Sequence, residues 1–391
     1  MRIAFTLIGN ARRQNYINGE NIRYNSGGAS GTDASVIAIA EHLSQCGHEI
    51  VIAVDKLDES FSKSQIEKNN FWTPGKKNRG VYYTDFNFTN IRNKNFDILV
   101  NTLWFEKYND LPIKVSKALI YWCHMQWVYG ISDIISFSKK NNLKLIFVHI
   151  SHWEQKMTLE SINRAKSFDN NVQEILIPNP IYDDIIEEVY KEMPKRNPKK
   201  FIFHANWLRG GDICYKVIDK INIPNKELHF FDYFLCIDNY ESDFVHIHGS
   251  VDKKTLFQQL AESEYFIYPL VTAHNDIHQD TFSCVIAEAI AMGVTPITYN
   301  LGALMENFKD YCMWIDFPKD IDIEKIQNEP LSKDKDNKFK NNIDNIIKSI
   351  DFLEKNPYLK NHIKNYGKKY IIDNFNIKKI GLKWENLINS I

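Results

Sequence analysis

The sequence predicts an α/β protein that consists of two doubly wound domains, each a parallel sheet covered by helices. Short apolar runs alternate with helical patterns along the 391 residues. Most of these runs are apolar nearly throughout, which is typical of strands buried on both faces. A basic segment with two prolines, residues 191–200, separates a first series of runs from a second. The pattern therefore predicts two βαβ arrangements joined by an exposed linker.

The predicted strands fall into two series in chain order. The first series comprises residues 3–8, 50–54, 97–101, 118–122, 145–149 and 174–177. The second series comprises residues 201–205, 227–231, 244–248, 265–269 and 294–299. A polar stretch, residues 320–342, is predicted to be a surface excursion, and helical segments follow it to the end of the chain.

The clearest predicted helix covers residues 33–45. Its apolar side chains recur on one face: Ala34, Val36, Ile37, Ala40 and Leu43. Ser30 and Asp33 have the spacing of a capping box at the start, and Gly47 is placed to end the helix. We therefore expect a helix with defined ends between the first two strands.

Composition excludes several function classes. The chain has 48 basic and 49 acidic residues, which argues against a non-specific nucleic-acid binder. Its six cysteines include no Cys-x-x-Cys pair, which argues against a zinc ribbon, a thioredoxin-like site and a disulfide framework. No apolar stretch reaches the about 18 residues of a membrane span, and the N-terminal apolar run is too short for a signal peptide. The sequence thus predicts a cytoplasmic protein without a transmembrane segment.

Three loops of the sequence are candidate ligand-binding sites, and the first of them is glycine-rich. Gly27, Gly28 and Gly31 precede the predicted helix of residues 33–45. Glycines let the backbone approach a ligand closely, and a helix N-terminus offers free N–H groups to a phosphate. The spacing matches neither the Walker A loop nor the dinucleotide fingerprint. Taken alone, a plain tight turn explains this loop equally well.

The second loop follows the predicted strand of residues 201–205. Asn206, Arg209 and Gly210 come next, before an amphipathic helix. Open α/β sheets bind ligands at the carboxyl ends of their strands, and guanidinium matches phosphate oxygens with two parallel hydrogen bonds. The simpler alternative is an arginine on a solvated loop.

The third loop is the most informative. Asp280 opens a helix-like run, and Glu288 follows eight residues later. Eight residues are just over two helical turns, so the two carboxylates are expected on one side of one helix. A helix that starts near Ser283 would add backbone donors beside these acceptors. A ligand with both hydroxyl and phosphate groups fits such a site.

Together these motifs resemble those of the GT-B glycosyltransferases, specifically of the large retaining glycosyltransferase family 4. The C-terminal pattern of that family is echoed by Asp280, Glu288 and a run of small residues: Ala289, Ala291, Gly293, Pro296 and Gly302. The glycine-rich loop, the segment of residues 177–180, the Arg-Gly of residues 209–210 and the segment of residues 248–251 match further motifs in the same order. The resemblance covers most of the chain, excepting residues 55–95 and 317–345.

The resemblance implies a GT-B fold, with two Rossmann-like domains that face a central cleft. The expected acceptor-side domain covers residues 1–193, and the expected nucleotide-sugar domain covers residues 199–365. Residues 366–391 are expected to form a C-terminal helix that packs back on the first domain. The implied partners are a UDP- or GDP-sugar as donor and a glycan or glycoconjugate as acceptor. A lipid-linked acceptor would add peripheral membrane association.

The resemblance also assigns roles to individual residues. It places Glu288 on the ribose hydroxyls, Asp280 on hydroxyls of the donor sugar, Arg209 on the diphosphate and His124 near the anomeric carbon. The remaining expected donor contacts are Gly27, Gly28, Asn206, Gly210, Thr281, Phe282, Ser283, Cys284 and Val285. His124 follows a predicted strand, and a structural histidine is the alternative there. No metal ligand and no cofactor are expected.

The sequence departs from the family pattern at three of these positions. Asp280 stands where the family has glutamate, which shortens the side chain by one methylene. His204 stands where an arginine is frequent, and Ser283 stands where glycine is usual. The function predicted first is a retaining, metal-independent glycosyltransferase. The alternatives are another GT-B enzyme, such as a nucleotide-sugar epimerase or an inverting transferase, and a degenerate binder that does not catalyse transfer.

Overall fold

The computed structural model divides the protein into two compact units. The first unit comprises Met1–Ile22, Ala29–Pro180 and Ile377–Ile391, and the second comprises Arg23–Gly28 and Ile181–Asn376. The residues that the structure describes are 1–7, 18–25, 29–54, 78–85, 95–102, 114–128, 130–164, 172–231, 242–272, 277–317, 322–328 and 343–391.

The first unit contains a seven-stranded parallel sheet. Its strands are β1 Arg2–Leu7, β2 Glu49–Val54, β3 Tyr82–Asp85, β4 Asn95–Asn101, β5 Lys114–Cys123, β6 Lys144–His149 and β7 Val172–Leu176. They lie in the order β3-β2-β1-β4-β5-β6-β7. The central strands are buried nearly throughout, as expected of a sheet with helices on both faces.

The helices of the first unit are α1 Gly31–Gln45, α2 Ile131–Lys140, α3 His152–Arg164 and α12 Ile377–Asn389. Ser30 caps α1 with the full capping box to Asp33, as its spacing predicts, and Gly47 follows the helix with φ +88°. In α12 the buried Trp384 lies 4.5 Å from Trp122 between ring centroids. The last helix of the chain is thus part of this unit's core.

The second unit contains a six-stranded parallel sheet. Its strands are β8 Lys200–Phe203, β9 Glu227–Phe230, β10 Val245–Ile247, β11 Tyr265–Tyr268, β12 Thr295–Thr298 and β13 Met313–Trp314. They lie in the order β10-β9-β8-β11-β12-β13. This is the doubly wound order of nucleotide-binding sheets, and it reverses between β8 and β11. The crevice at that switch point is where such sheets bind ligands.

Helices cover this second sheet. They are α4 Asp183–Lys191, α5 Gly211–Lys220, α6 Lys253–Glu262, α7 Cys284–Ala291, α8 Leu304–Phe308, α9 Ile323–Asn328, α10 Ile343–Lys355 and α11 Pro357–Phe375. A 3-10 turn, Trp207–Arg209, precedes α5. In the described part of the chain, none of the helices combines the length and the apolar character that a membrane span requires.

All eleven predicted strands are present, and the predicted class of two parallel α/β domains is confirmed. Two edge strands, β3 and β13, were not predicted. The interpretation of Asp280 as a helical residue was wrong, because α7 begins at Cys284. Asp280 instead forms an isolated parallel bridge with Gly302. The two carboxylates of this segment therefore do not share one helix face.

Candidate functional site

The carboxyl ends of β8 and β11 bring most of the predicted donor residues together in the second unit. Asn206 and Arg209 follow β8, and Asp280 lies beyond the loop that follows β11. Glu288 lies in α7, which leads to β12. Because β8 and β11 flank the switch point of the sheet, these residues lie where a doubly wound sheet offers its crevice.

The Arg209 loop is fixed to the end of β11. Asn206 caps the 3-10 turn by accepting a hydrogen bond from Leu208 N at 2.9 Å. The carbonyl of Arg209 accepts one from Leu270 N at 3.0 Å. Gly210 has φ +104°, and a β-carbon there would lie 2.7 Å from Pro269 and 2.8 Å from the carbonyl of Val271. Glycine at this position therefore allows the close approach that orients the arginine.

Asp280 forms a polar cluster with two other side chains, those of Arg209 and Tyr268. Its Oδ1 accepts a hydrogen bond from Arg209 Nη1, and its Oδ2 accepts one from the hydroxyl of Tyr268 at 2.9 Å. The Asp280 side chain is 9% exposed and that of Arg209 is 33% exposed. Burial and the Asp280 charge raise the pKa of Tyr268 well above its usual value, so the phenol remains a donor. The cluster leaves a partly exposed guanidinium at the site.

The backbone of Asp280 is held by the turn after β12. Its carbonyl accepts a hydrogen bond from Ala303 N at 2.8 Å. Gly302 has φ +71°, and a β-carbon there would lie 2.7 Å from Asp280 N and closer still to its carbonyl oxygen. No side chain fits between these two backbones. The predicted glycine turn thus supports the carboxylate directly.

The segment after Asp280 turns sharply into α7. Ser283 adopts φ 69° and ψ 77° as the residue before the helix, a left-handed conformation that glycine tolerates best. Thr281, Cys284 and Val285 are partly exposed. Phe282 is buried edge-on against two rings, 5.8 Å from Phe308 and 5.2 Å from Phe375. Its side chain therefore serves packing, and its backbone is what remains for a ligand.

We expect Ser283→Gly to raise the free energy of unfolding by about 1 kcal/mol. The change removes left-handed strain of about 1–2 kcal/mol, partly offset by the larger entropy of glycine in the unfolded chain. Urea unfolding measures the difference. Ser283→Ala is the matched control, because it removes the same hydroxyl and keeps the β-carbon. A glycine variant no more stable than the alanine variant would contradict the strain.

Glu288 is buried in α7 and paired with a lysine that the sequence analysis did not identify. Its Oε1 accepts a hydrogen bond from Lys253 Nζ, and both side chains are less than a tenth exposed. Lys253 begins α6, two residues after the predicted segment of residues 248–251. The signal for it was a lysine at the start of a helix that follows a strand of this sheet.

His204 follows β8 and is also buried. Its Nε2 donates a hydrogen bond to the carbonyl of Val285 at 3.0 Å. Burial, and secondly the charge of Lys253, lower the pKa of His204 to about 3. The imidazole is therefore neutral at pH 7. It does not supply the positive charge that an arginine would bring to this position.

The other predicted residues lie elsewhere. His124 belongs to the first unit, where it follows β5 and packs 4.8 Å from the Trp122 ring between centroids. Burial lowers the pKa of His124 to about 3, so its ring is neutral at pH 7. Gly27 and Gly28 lie outside the described residues. Gly210 and Asn206 act on the Arg209 loop as described above.

Two groups of described residues each bring together a histidine, a cysteine and a glutamate, which are side chains that can bind a metal ion. Neither group includes a residue predicted to bind the donor. One is His42, Cys46 and Glu385. The other is Cys123, His149 and Glu154, all buried. In the second group Glu154 accepts a hydrogen bond from His149 Nδ1 at 3.0 Å, and its backbone N–H donates to the Ser151 hydroxyl at 3.0 Å, at the start of α3. These bonds give the His149–Glu154 pair a structural role.

No protein-family model and no curated protein sequence matches the chain. Solved structures do. A glycosyltransferase from Rickettsia africae is 14% identical, with a TM-score of 0.61 over 100% of this chain and 98% of that one. Sucrose-phosphate synthase from Thermosynechococcus elongatus is 11% identical, with a TM-score of 0.64 and the same coverage. Anabaena HepE in complex with UDP-glucose is 12% identical, with a TM-score of 0.60 over 100% of both chains. At such identities the likeness concerns the fold: this chain has the two parallel-sheet α/β domains of the GT-B glycosyltransferases.

Proposed function

We propose that the protein is a glycosyltransferase that moves a sugar from a UDP- or GDP-sugar to a hydroxyl of a glycan or glycoconjugate. We infer a retaining reaction that needs no metal ion. The observation that carries the proposal is the pair of buried carboxylates, Asp280 and Glu288, each held by a basic side chain at the switch point of a doubly wound sheet. The structural likeness to a protein bound to UDP-glucose supports the choice of donor.

In the proposed donor complex each group of the ligand has a partner of matching chemistry. The ribose hydroxyls donate hydrogen bonds to Glu288, and hydroxyls of the sugar donate to Asp280. The diphosphate accepts from Arg209 and from the backbone amides of residues 283–285 at the start of α7. The proposal also keeps Gly27 and Gly28 as donor-binding residues. Thr281 precedes these amides in the chain, and the Cys284 amide is one of them.

The chemical step in this proposal is substitution at the anomeric carbon. The bond from that carbon to the diphosphate oxygen breaks, and the negative charge that develops on the phosphate is stabilised by Arg209 and the α7 amides. The acceptor hydroxyl attacks from the same face and gives its proton to the leaving phosphate. Neutral His124 contributes a hydrogen bond near the anomeric carbon rather than a charge. Exclusion of bulk water protects the donor from hydrolysis.

Nucleotide release from a panel of UDP-, GDP-, dTDP- and ADP-sugars in the presence of EDTA tests the proposal. We expect slow hydrolysis of one donor, reduced at least about 100-fold in Glu288→Gln, which loses the charged acceptor for the ribose hydroxyls. Glu306→Gln is the matched control, because it makes the same glutamate-to-glutamine change in a different helix, α8. The anomeric configuration of the released or transferred sugar, followed by proton NMR, tests retention. No release and no thermal stabilisation by any donor would contradict the proposed function.

A further inference from the structure

The buried Lys253 lies against one oxygen of the carboxylate that is proposed to hold the nucleotide. Its ammonium donates to Oε1 of Glu288. Among the residues that the structure describes, no hydrogen bond reaches the other oxygen, Oε2. One oxygen is therefore committed to the protein, and the second is left to accept a hydrogen bond from a ligand.

The position of Lys253 is unfavourable for local reasons. It is the first residue of α6, where the helix dipole disfavours a cation, and the N-cap Asp252 directs its carboxylate to the Thr255 amide. Burial adds a desolvation penalty unless the charge is paired. The next residue, Lys254, instead extends to Glu188 in α4 at 2.7 Å and to Glu192, the residue after α4, at 2.9 Å. The inward direction of Lys253 is therefore explained by Glu288.

In the described part of the chain, Lys253 is the one cation paired with Glu288. His204 is the neighbouring basic side chain whose titration the Lys253 charge affects, and its pKa of about 3 leaves it neutral. Its Nδ1 is buried and has no hydrogen-bond partner among the described residues. Arg209 is engaged with Asp280. The charge that faces Glu288 is thus the Lys253 ammonium.

We propose that Lys253 is a positioning residue of the donor site, which holds the Glu288 carboxylate in one orientation so that Oε2 accepts a hydrogen bond from the ribose hydroxyls. The inference rests on the proposed function and adds a residue from a different helix to it. Lys253 acts through Glu288 and makes no contact with the diphosphate. Its removal should therefore weaken recognition of the ribose in particular.

Calorimetric titration with UDP and GDP, each compared with its 2′-deoxy form, tests this role. We expect the nucleotide that binds wild type to lose about 10- to 100-fold in affinity in Lys253→Met, the range for a hydrogen bond to a charged group. The preference for the ribose form should disappear in both Lys253→Met and Glu288→Gln. The double variant should bind no more weakly than Glu288→Gln alone. Lys253→Arg should restore most of the affinity and the ribose preference.

Lys254→Met is the matched control, because it removes the adjacent lysine of the same helix, whose partners are Glu188 and Glu192. Thermal unfolding of every variant verifies that it is folded, and Lys253→Gln replaces Lys253→Met if the latter is not. Additive losses in the double variant, or an unchanged ribose preference in a folded Lys253→Met or Lys253→Gln variant, would overturn the positioning role. Absence of nucleotide binding by wild type would overturn the proposed function and this inference with it. Wild-type binding with a failed Lys253 test overturns the inference alone.

Discussion

Gly302→Ala is expected to lower donor turnover at least about 100-fold in a protein that still folds. A β-carbon at this position would lie 2.7 Å from Asp280 N and closer to its carbonyl oxygen, so the two backbones must separate. Asp280 would then leave the geometry in which it meets Arg209 and Tyr268. A displacement of about 1 Å at a substrate-positioning group is enough for such a loss. Donor hydrolysis and urea unfolding, measured on the same preparation, give both effects.

Gly47→Ala is the matched control for this prediction. Gly47 also has a positive φ, +88°, yet a β-carbon there would meet nothing within 4 Å. It is therefore expected to cost only the left-handed strain of about 1–2 kcal/mol and to leave turnover unchanged. Equal turnover in the two variants would contradict the close contact between Gly302 and Asp280.

Arg209→Met is expected to reduce kcat/KM for the donor by about 100- to 1,000-fold. The guanidinium is the partly exposed cation of the site, and loss of one donor to a developing negative charge commonly raises the barrier by about 3–4 kcal/mol. The variant also leaves the Asp280 carboxylate with Tyr268 as its side-chain partner among the described residues. Steady-state hydrolysis of the donor measures the loss.

Arg209→Lys separates charge from geometry. Lysine keeps the positive charge and lacks the planar fork that grips a phosphate through two hydrogen bonds. We expect an intermediate kcat/KM, with most of the loss in kcat if the arginine acts on the leaving group. Asn225→Ala, at a turn before β9, serves as a surface control. A wild-type kcat/KM in Arg209→Met would remove Arg209 from the mechanism.

The fold could be predicted from sequence because its signals are local. Strands buried on both faces, such as residues 145–149, stand out as continuous apolar runs, and the capping box at Ser30 specifies where α1 begins. The two edge strands were missed for the opposite reason. β13 has only two residues, Met313–Trp314, and β3 follows a stretch without a recognisable pattern.

The site could be predicted in part. Arg209, Asp280 and Glu288 could be selected as candidates from the sequence because glycines and strand ends mark their segments. The conformation around Asp280 could not be predicted from the sequence, because a spacing of eight residues fits a helix as well as an extended bridge. The conformation of Asp280 is determined by its contact with Gly302, twenty-two residues later, and by the left-handed backbone of Ser283. Lys253 and Tyr268 were missed because each acquires its role only through a tertiary contact with a carboxylate.

The most direct test of the donor-site assignment is a crystal structure of the protein with the nucleoside diphosphate that the release assay selects. We expect the ribose hydroxyls to donate hydrogen bonds to one oxygen of Glu288, while Lys253 still binds the other. We expect the diphosphate to lie between Arg209 and the start of α7. Electron density for the nucleotide at another edge of the second sheet, or in the first unit alone, would contradict it.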